Sequence, residues 1–332
     1  MNNNCLGYSV ALCTYNGERF IAEQIKSILN QTLLPNEIII SDDNSTDNTI
    51  KVAEELLAQG RVNYRIVTNV KTKGVVKNFQ NAIAMCNSPI IFTCDQDDVW
   101  LASKAEKIVN CFANNEKAML VFSDGELTDG NLNLLGCSLW KSVGITECDL
   151  SENKWFSCFL NRCFVTGAAM AFRRELFVKD EIIPDSWLHD GWLAWKALAY
   201  NGLVPCPEKL IYYRQHGANV VGMYNVTSIG RIKKYIRNFS VMPKEHLIRY
   251  ERYKDVKECL GNTFTEAQIQ ELDSCISFWE ELVSADRQRG ILKRIAILRK
   301  HKKNNDFKKF SNGNRGYYRE LFLTFFPCCV EE

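Results

Sequence analysis

Residues 90–100 read Ile90-Ile-Phe-Thr-Cys-Asp-Gln-Asp-Asp-Val-Trp100, an apolar run that breaks into three carboxylates within four positions. Pro89–Cys94 has the length and composition of a buried strand. In extended chain alternate side chains share a face, so Asp95 and Asp97 point the same way, about 6.5 Å apart. Clustered carboxylates repel, and without compensation some would stay protonated. A divalent cation, Mg²⁺ or Mn²⁺, removes the conflict, binding through one or two carboxylates and completing its shell with substrate phosphates. The spacing is awkward for two carboxylates gripping one ion. It suits one on the ion and the other on a neighbouring ribose or a metal-bound water.

The pattern repeats upstream. Tyr8–Cys13 is an apolar run leading into Thr14-Tyr-Asn-Gly17. Phe20, Ile21, Ile25, Ile28 and Leu29 then predict a helix over 18–31, stopped before Pro35. Glu37–Ser41 reads as a buried strand, and Asp42-Asp-Asn-Ser-Thr-Asp47 as a loop capping a helix over 47–58. A strand at Tyr64–Thr68, a loop through Gly74 and a helix at Val76–Met85 complete the run. Short strands alternating with helices predict an α/β, Rossmann-like fold: a mainly parallel sheet flanked by helices. Ligands of such sheets sit beyond the carboxyl ends of the strands. Thr14-Tyr15-Asn16, Asp42-Asp43 and Asp95–Asp98 each follow a strand. One such loop is explained by turn formation and capping; three on one edge, with five carboxylates among them, predict a common site.

At 332 residues the chain accommodates one large domain and an appendage. A hydrophobic fraction of 46% and a charged fraction of 24% are ordinary for a soluble globular protein, and a net charge of +2 gives no global argument for nucleic acid. Past residue 225 the strand signal fades, which predicts a domain over 1–225 (donor half to about 100, acceptor half about 101–225) and a helical region over 226–332. Basic residues crowd 231–258 and 293–319, either as solvated helix faces or for contact with an anionic partner such as a membrane surface. Gly316–Val330 is aromatic and apolar, with Tyr317, Tyr318, Leu321, Phe322, Leu323, Phe325 and Phe326, and suits core, membrane or dimer contact. The 14 cysteines form no CxxC pair, only Cys158/Cys163 and Cys328/Cys329 being close, which suits small core residues in a reducing compartment. Met1-Asn-Asn-Asn4 shows no secretory pattern, and no window reaches the ~18 apolar residues of a membrane span. A cytoplasmic protein is expected.

The set Val10-Ala-Leu-Cys-Thr-Tyr-Asn-Gly17, Ser41-Asp-Asp-Asn-Ser-Thr-Asp-Asn48 and Cys94-Asp-Gln-Asp-Asp-Val-Trp100 resembles glycosyltransferase family 2, of GT-A type. Gly74-Val-Val-Lys-Asn-Phe79 and Tyr213-Arg-Gln-His-Gly-Ala-Asn219 bring it closest to the bacterial rhamnosyltransferase-like members. The resemblance runs from residue 8 to about 222. It implies that the loops at Thr14, Tyr15, Asn16, Asp42 and Asp43 bind the nucleotide-sugar donor. Tyr15 and Asp43 would contact the base, Asp43 accepting the imide N–H of uracil or thymine. Lys77 would lie near the phosphates or line the pocket. Asp97 would bind the metal, and Asp95 would face the ribose or a metal-bound water. Asp98 would cap the next helix or orient a sugar hydroxyl.

In Trp187-Leu-His-Asp-Gly-Trp-Leu-Ala-Trp195 the resemblance makes Asp190 the catalytic base, at a helix start that favours negative charge. A plain helix cap is the alternative. His189 reads as a packing or supporting residue, and Trp187, Trp192 and Trp195 as a sugar platform or as core. Arg214 would bind phosphate bidentately, and His216 would complete the metal site or touch the diphosphate. With the metal serving the leaving group, one base suffices for a single displacement with inversion. Neither a QxxRW segment nor membrane helices occur, which implies addition of one sugar at a time.

The implied activity moves one sugar, L-rhamnose from dTDP or a sugar from UDP, to a hydroxyl of a lipid-linked surface-polysaccharide precursor. Peripheral contact with the inner membrane face is compatible with the basic helices. Two rival readings are a sugar-nucleotide nucleotidyltransferase and a non-catalytic carbohydrate-binding protein. The first would want a Gly-rich basic loop where Thr14-Tyr-Asn-Gly-Glu-Arg19 has one glycine. The carboxylate spacing argues against the second.

Overall fold

Val10, Leu12, Ile38, Ile40, Ile90 and Phe92 are fully buried, and around them the first strands assemble. The computed structural model describes residues 6–69, 73–145, 150, 154–178, 181–216, 242–287 and 290–325. The expectations for Met1–Asn4, Gly217–Asn219, residues 231–241, Phe326 to Val330 and the Cys328/Cys329 pair lie outside the described residues.

The elements alternate as β1 (Tyr8–Thr14), α1 (Ile21–Leu29), β2 (Glu37–Asp42), α2 (Thr49–Leu57), β3 (Asn63–Thr68), α3 (Val75–Met85) and β4 (Ile90–Cys94). Helix α1 starts later than its apolar period suggests because 17–20 form a turn, with Phe20 and Ile21 N–H both donating to the Gly17 carbonyl. At α2, Asp47 accepts from the Thr49 N–H at 3.0 Å, a side-chain cap that satisfies an otherwise orphaned donor. There follow β5 (Val99–Trp100), α4 (Lys104–Asn114), β6 (Leu120–Thr128), β7 (Leu134–Ser138), α5 (Leu139–Ser142), α6 (Trp155–Asn161), β8 (Met170–Arg173), α7 (His189–Ala199) and β9 (Leu203–Arg214).

The strands form one sheet in the order β3-β2-β1-β4-β8-β6-β9-β5, with β7 paired to β6. The pairs β1–β2, β2–β3, β1–β4 and β6–β9 are parallel. Strand β8 lies antiparallel between β4 and β6, so the second half of the sheet is mixed. The register Leu12↔Cys94 and Thr14↔Asp42 brings the ends of β1, β2 and β4 to one edge. Thr128↔Arg214 aligns the ends of β6 and β9, and β8, running the other way, starts from the edge where β4 ends. Because β2 and β4 flank β1 on opposite sides, chain connections diverge at β1/β4, which opens a crevice at that edge.

The described residues divide into two compact units, one within Met1–Thr146 and Phe164–Met223, the other within Glu147–Cys163 and Tyr224–Glu332. The second therefore includes α6, which sequence patterning leaves in the first domain. Its other helices are α8 (Met242–Leu260), α9 (Glu266–Arg287), α10 (Ile291–Lys303), α11 (Asp306–Phe310) and α12 (Gly313–Phe325). Trp155, Phe159 and Leu160 of α6 are buried, as are Tyr253, Val256, Leu272, Phe278 and Trp279. Tyr253 hydroxyl donates to the Leu160 carbonyl at 2.7 Å. The ten described cysteines are all unbridged.

Candidate active site

Each strand end turns a polar loop into the crevice, and the loops fasten one another. Asp43 N–H donates to the Thr14 carbonyl at 2.8 Å, tying the end of β2 to that of β1. Across the β1/β4 divide the Gln96 amide mimics a strand partner: its Oε1 accepts from Tyr15 N–H and its Nε2 donates to the Tyr15 carbonyl, both at 2.9 Å. Gly17 packs against Gln96 so closely that a Cβ there would meet the amide oxygen. Asn16, at φ 47°, accepts from Thr46 N–H at 2.8 Å, and its own N–H donates to Ser45.

This fastening separates residues that share a motif. Asp42 is buried and accepts from the Thr14 hydroxyl at 2.7 Å and from Ser45 N–H and hydroxyl at 2.7 and 2.5 Å. Thr14 and Asp42 thus build the loop from within. Asp43 differs: its Oδ2 accepts from Gly74 N–H at 2.8 Å, while its Oδ1 is shielded from water with no hydrogen-bond partner. An orphaned buried acceptor is costly unless a ligand donates to it. Tyr15 stands 57% exposed at the mouth. Lys77, in the first turn of α3, lies 4.0 Å from Asp185 with its amine end partly exposed.

The carboxylates after β4 crowd and repel one another. Burial, then the charges of Asp97 and Asp190, push the Asp95 carboxyl up to about 7, against the opposing pull of Lys104. Asp98 is buried, and burial followed by Asp97 and Asp95 holds its carboxyl well above the usual range. Its Oδ1 accepts from Arg214 N–H at 2.8 Å, and its Oδ2 has no partner. Asp97 Oδ2 lies 2.7 Å from His216 Nε2, so β4 and β9 together deliver a carboxylate and an imidazole to one point.

Arg214 requires a correction. Its side chain is 2% exposed, and its donors go to the Asp97 carbonyl (2.7 Å), the Gly130 carbonyl (2.7 Å) and Glu23. With its face over Phe20, 4.6 Å from the ring centre, it props the Asp97 loop from behind and presents no fork to a phosphate. The expectation of bidentate phosphate binding fails because those acceptors come from distant parts of the chain. Trp187, Trp192 and Trp195 are buried against one another, with centroid distances of 6.2 and 6.5 Å from Trp187, and form core rather than a sugar platform.

Asp190 opens α7. Its Oδ2 accepts from Gly167 N–H at 3.1 Å and its Oδ1 from Gly191 N–H at 2.7 Å. Its negative charge helps to hold the Asp95 carboxyl up. The 3₁₀ turn Gly167–Ala169 that holds it is itself pinned by two residues the motifs did not flag. Thr93 hydroxyl donates to the Gly167 carbonyl and Lys104 Nζ to the Ala168 carbonyl, each at 2.6 Å. Lys104 is fully buried over the Trp100 ring, and burial pulls its amine down to about 8 against the attraction of Cys94, Asp98 and Asp95. A lysine in a helix first turn reads as surface; only its packing reveals it as the counter-charge behind the aspartates. His189 stacks on Phe79 at 3.7 Å, and burial lowers its pKa, so it is a neutral core ring.

Among the described residues no group of three or more His, Cys, Asp or Glu side chains is arranged to enclose a metal ion. Of the three expected metal donors the structure pairs Asp97 with His216 at 2.7 Å and does not gather Asp95 with them into a common cage.

The fold and this edge define the class. The chain resembles Staphylococcus aureus TarS 1-349, solved in complex with UDP-GlcNAc, at TM-score 0.54 and 15% identity over 97% of this chain and 92% of that one. The fold is accordingly that of the GT-A glycosyltransferases. Residues 9–179 match the family described as Glycosyl transferase family 2. The chain belongs to that family. It is 28% identical over 226 residues to an uncharacterized glycosyltransferase of Haemophilus influenzae, covering 67% of this chain and 69% of the relative. It is 38% identical over 112 residues to the dTDP-rhamnosyl transferase RfbG of Shigella flexneri, covering 31% of this chain and 37% of that protein.

Proposed function

We propose that the chain moves a single sugar from a nucleoside-diphosphate donor to a hydroxyl of a surface-polysaccharide precursor, with inversion at the anomeric carbon. The observation that carries this reading is the Gly167 peptide, whose N–H donates to Asp190 and whose carbonyl accepts from Thr93, two residues before Asp95 at the end of β4. An acceptor-side base and a diphosphate-side acidic loop there share one small space.

In this reading Asp43 receives the imide N–H of uracil or thymine on its unpartnered Oδ1, and Tyr15 covers the base. Lys77 borders the phosphates from the start of α3. Mn²⁺ or Mg²⁺ would be held by Asp97, Asp95 and His216, where it supplies charge for the departing diphosphate. Asp190 takes the proton of the acceptor hydroxyl as that oxygen attacks, its two oxygens kept in place by Gly167 and Gly191 N–H. Partial similarity to the Shigella dTDP-rhamnosyl transferase favours a dTDP-rhamnose donor over a UDP-sugar, and the acceptor in this reading is a lipid-linked oligosaccharide.

The test is to incubate the chain with dTDP-rhamnose and UDP-sugars, Mn²⁺ and candidate acceptors, and to identify the nucleotide released. Free nucleoside diphosphate supports transfer; pyrophosphate would mean a nucleotidyltransferase instead. Asp190→Asn should keep donor affinity while turnover falls by about 10²–10⁴, the usual range for a general base. Near-normal turnover in that variant removes Asp190 as the base.

A further inference from the structure

Helices α10 and α12 run antiparallel side by side. Arg294 donates to Thr324 and Glu320 at one end, and at the other Lys302 binds Asn314 and lies 5.1 Å over the Tyr317 ring. On the outer side of this pair Tyr318, Phe322 and Phe325, spaced as one helical face, are 62%, 47% and 55% exposed. At the end of α10 that meets the α12 C-terminus, Ile291 and Leu292 are 50% and 84% exposed. Arg299 and Lys303, seven and eleven positions after Leu292, continue its exposed face. Residues 291–325 hold ten Lys and Arg against two Asp and Glu, in a chain whose total is only +2.

We propose that this α10–α12 face docks on an anionic lipid bilayer, with the helix pair lying in the plane of the interface. Exposed aromatic and aliphatic side chains on two adjacent helices, with lysines and arginines among them, mark an interaction site and suit the boundary between acyl chains and anionic headgroups. Each helix, 13 residues and so about 20 Å long, is too short and too charged to span. Among the described residues no helix is long and apolar enough to cross a membrane. A second copy of the chain would press two cationic faces together. A nucleic acid would satisfy the lysines and arginines but leave Ile291 and Leu292 in water. The inference is independent of the chemistry at Asp190, and vesicle binding is measured without any reaction.

The full chain is sedimented with phosphatidylglycerol-containing vesicles and with pure phosphatidylcholine vesicles. Wild type should bind the anionic vesicles, less so as salt rises, and should leave the neutral ones in solution. Leu292→Asp with Phe325→Asp, and separately Arg299→Glu with Lys303→Glu, should each weaken binding by about tenfold or more with unchanged thermal melting. The charge-reversal pair, on exposed sites, keeps the test valid if the apolar pair unfolds the helices. Absence of wild-type binding, or binding unaltered by charge reversal, overturns the proposal. Self-association that the Leu292/Phe325 variant abolishes assigns the face to a second copy and overturns it as well.

Discussion

Asp95 sits where burial and two neighbouring carboxylates all favour its protonated form. Its pKa is about 7 in the folded chain against an ordinary 3.8, so between those values the folded state holds more protons than the unfolded one. Stability from this group therefore falls as pH rises through that interval. Asp95→Asn should raise the melting temperature of the ligand-free protein at pH 8 and flatten its pH dependence; an unchanged melting profile would show that the strain is absent. Asp97→Asn should weaken Mn²⁺-dependent donor binding while leaving the fold intact, and undiminished metal dependence would take Asp97 out of the metal site. Lys104 acts one step removed, through the turn that holds Asp190. Lys104→Met should lower kcat with little change in donor KM, whereas a KM effect alone would place its role at the donor. At this scale the motifs identified which loops the sheet brings to one edge but not which way each side chain turns. Asp42 and Arg214 share motifs with site residues yet spend their polar atoms inside the protein, on partners at Thr14, Ser45, Glu23 and Gly130. Such pairings depend on segments brought close only by folding.

Strand β6 shows how elements constrain the site. Its pairing with β9 shifts register around Asp124 and Glu126, and at Gly125 a side chain would lie 2.9 Å from the Ile211 carbonyl oxygen. Gly125→Ala must move backbone, which should cost about 1–3 kcal/mol; urea unfolding measures it, and no loss of stability would mean that β9 can yield. The β–α alternation from β1 to β4 was legible because buried parallel strands are continuous apolar runs and their helices have a clear period. The second half was less so. Strand β8 has only four residues and is set by its antiparallel neighbours β4 and β6, and β9 carries polar positions that serve β5 and β6 at different points along its length. The 167–169 turn has no motif of its own, yet it connects Thr93 and Lys104 to Asp190.

Across the whole molecule the two units answer pH differently. In the helical unit His246 is buried between Asp286 and Glu320, with Arg294 bridging the same two carboxylates. The carboxylates outweigh burial and raise the His246 pKa from 6.5 to about 9, while His246 and the arginines bring Glu320 from 4.5 to about 2. The histidine's contribution is complete below 6.5 and lost as pH rises through about 9. The glutamate's is complete above 4.5 and lost as pH falls through about 2. The helical unit should be most stable between 4.5 and 6.5, a plateau that calorimetry across pH detects. Glu320→Gln, which leaves His246 and Arg294 to share the single carboxylate of Asp286, should cost about 3–5 kcal/mol and erase the plateau. A plateau that survives the substitution would mean that the network is not what sets it.

The path of the chain between these units also bears on how the gene can change. Residues 147–163 leave the sheet-bearing unit, contribute α6 to the helices, and return before β8. A crossover near codon 225 that fused this sheet to another protein's tail would carry along Trp155, Phe159 and Leu160 but abandon the helices that cover them. Exchange of the helical unit at that single point would leave those three side chains uncovered. Variation in it must come by substitution in place, or by two exchanges at once.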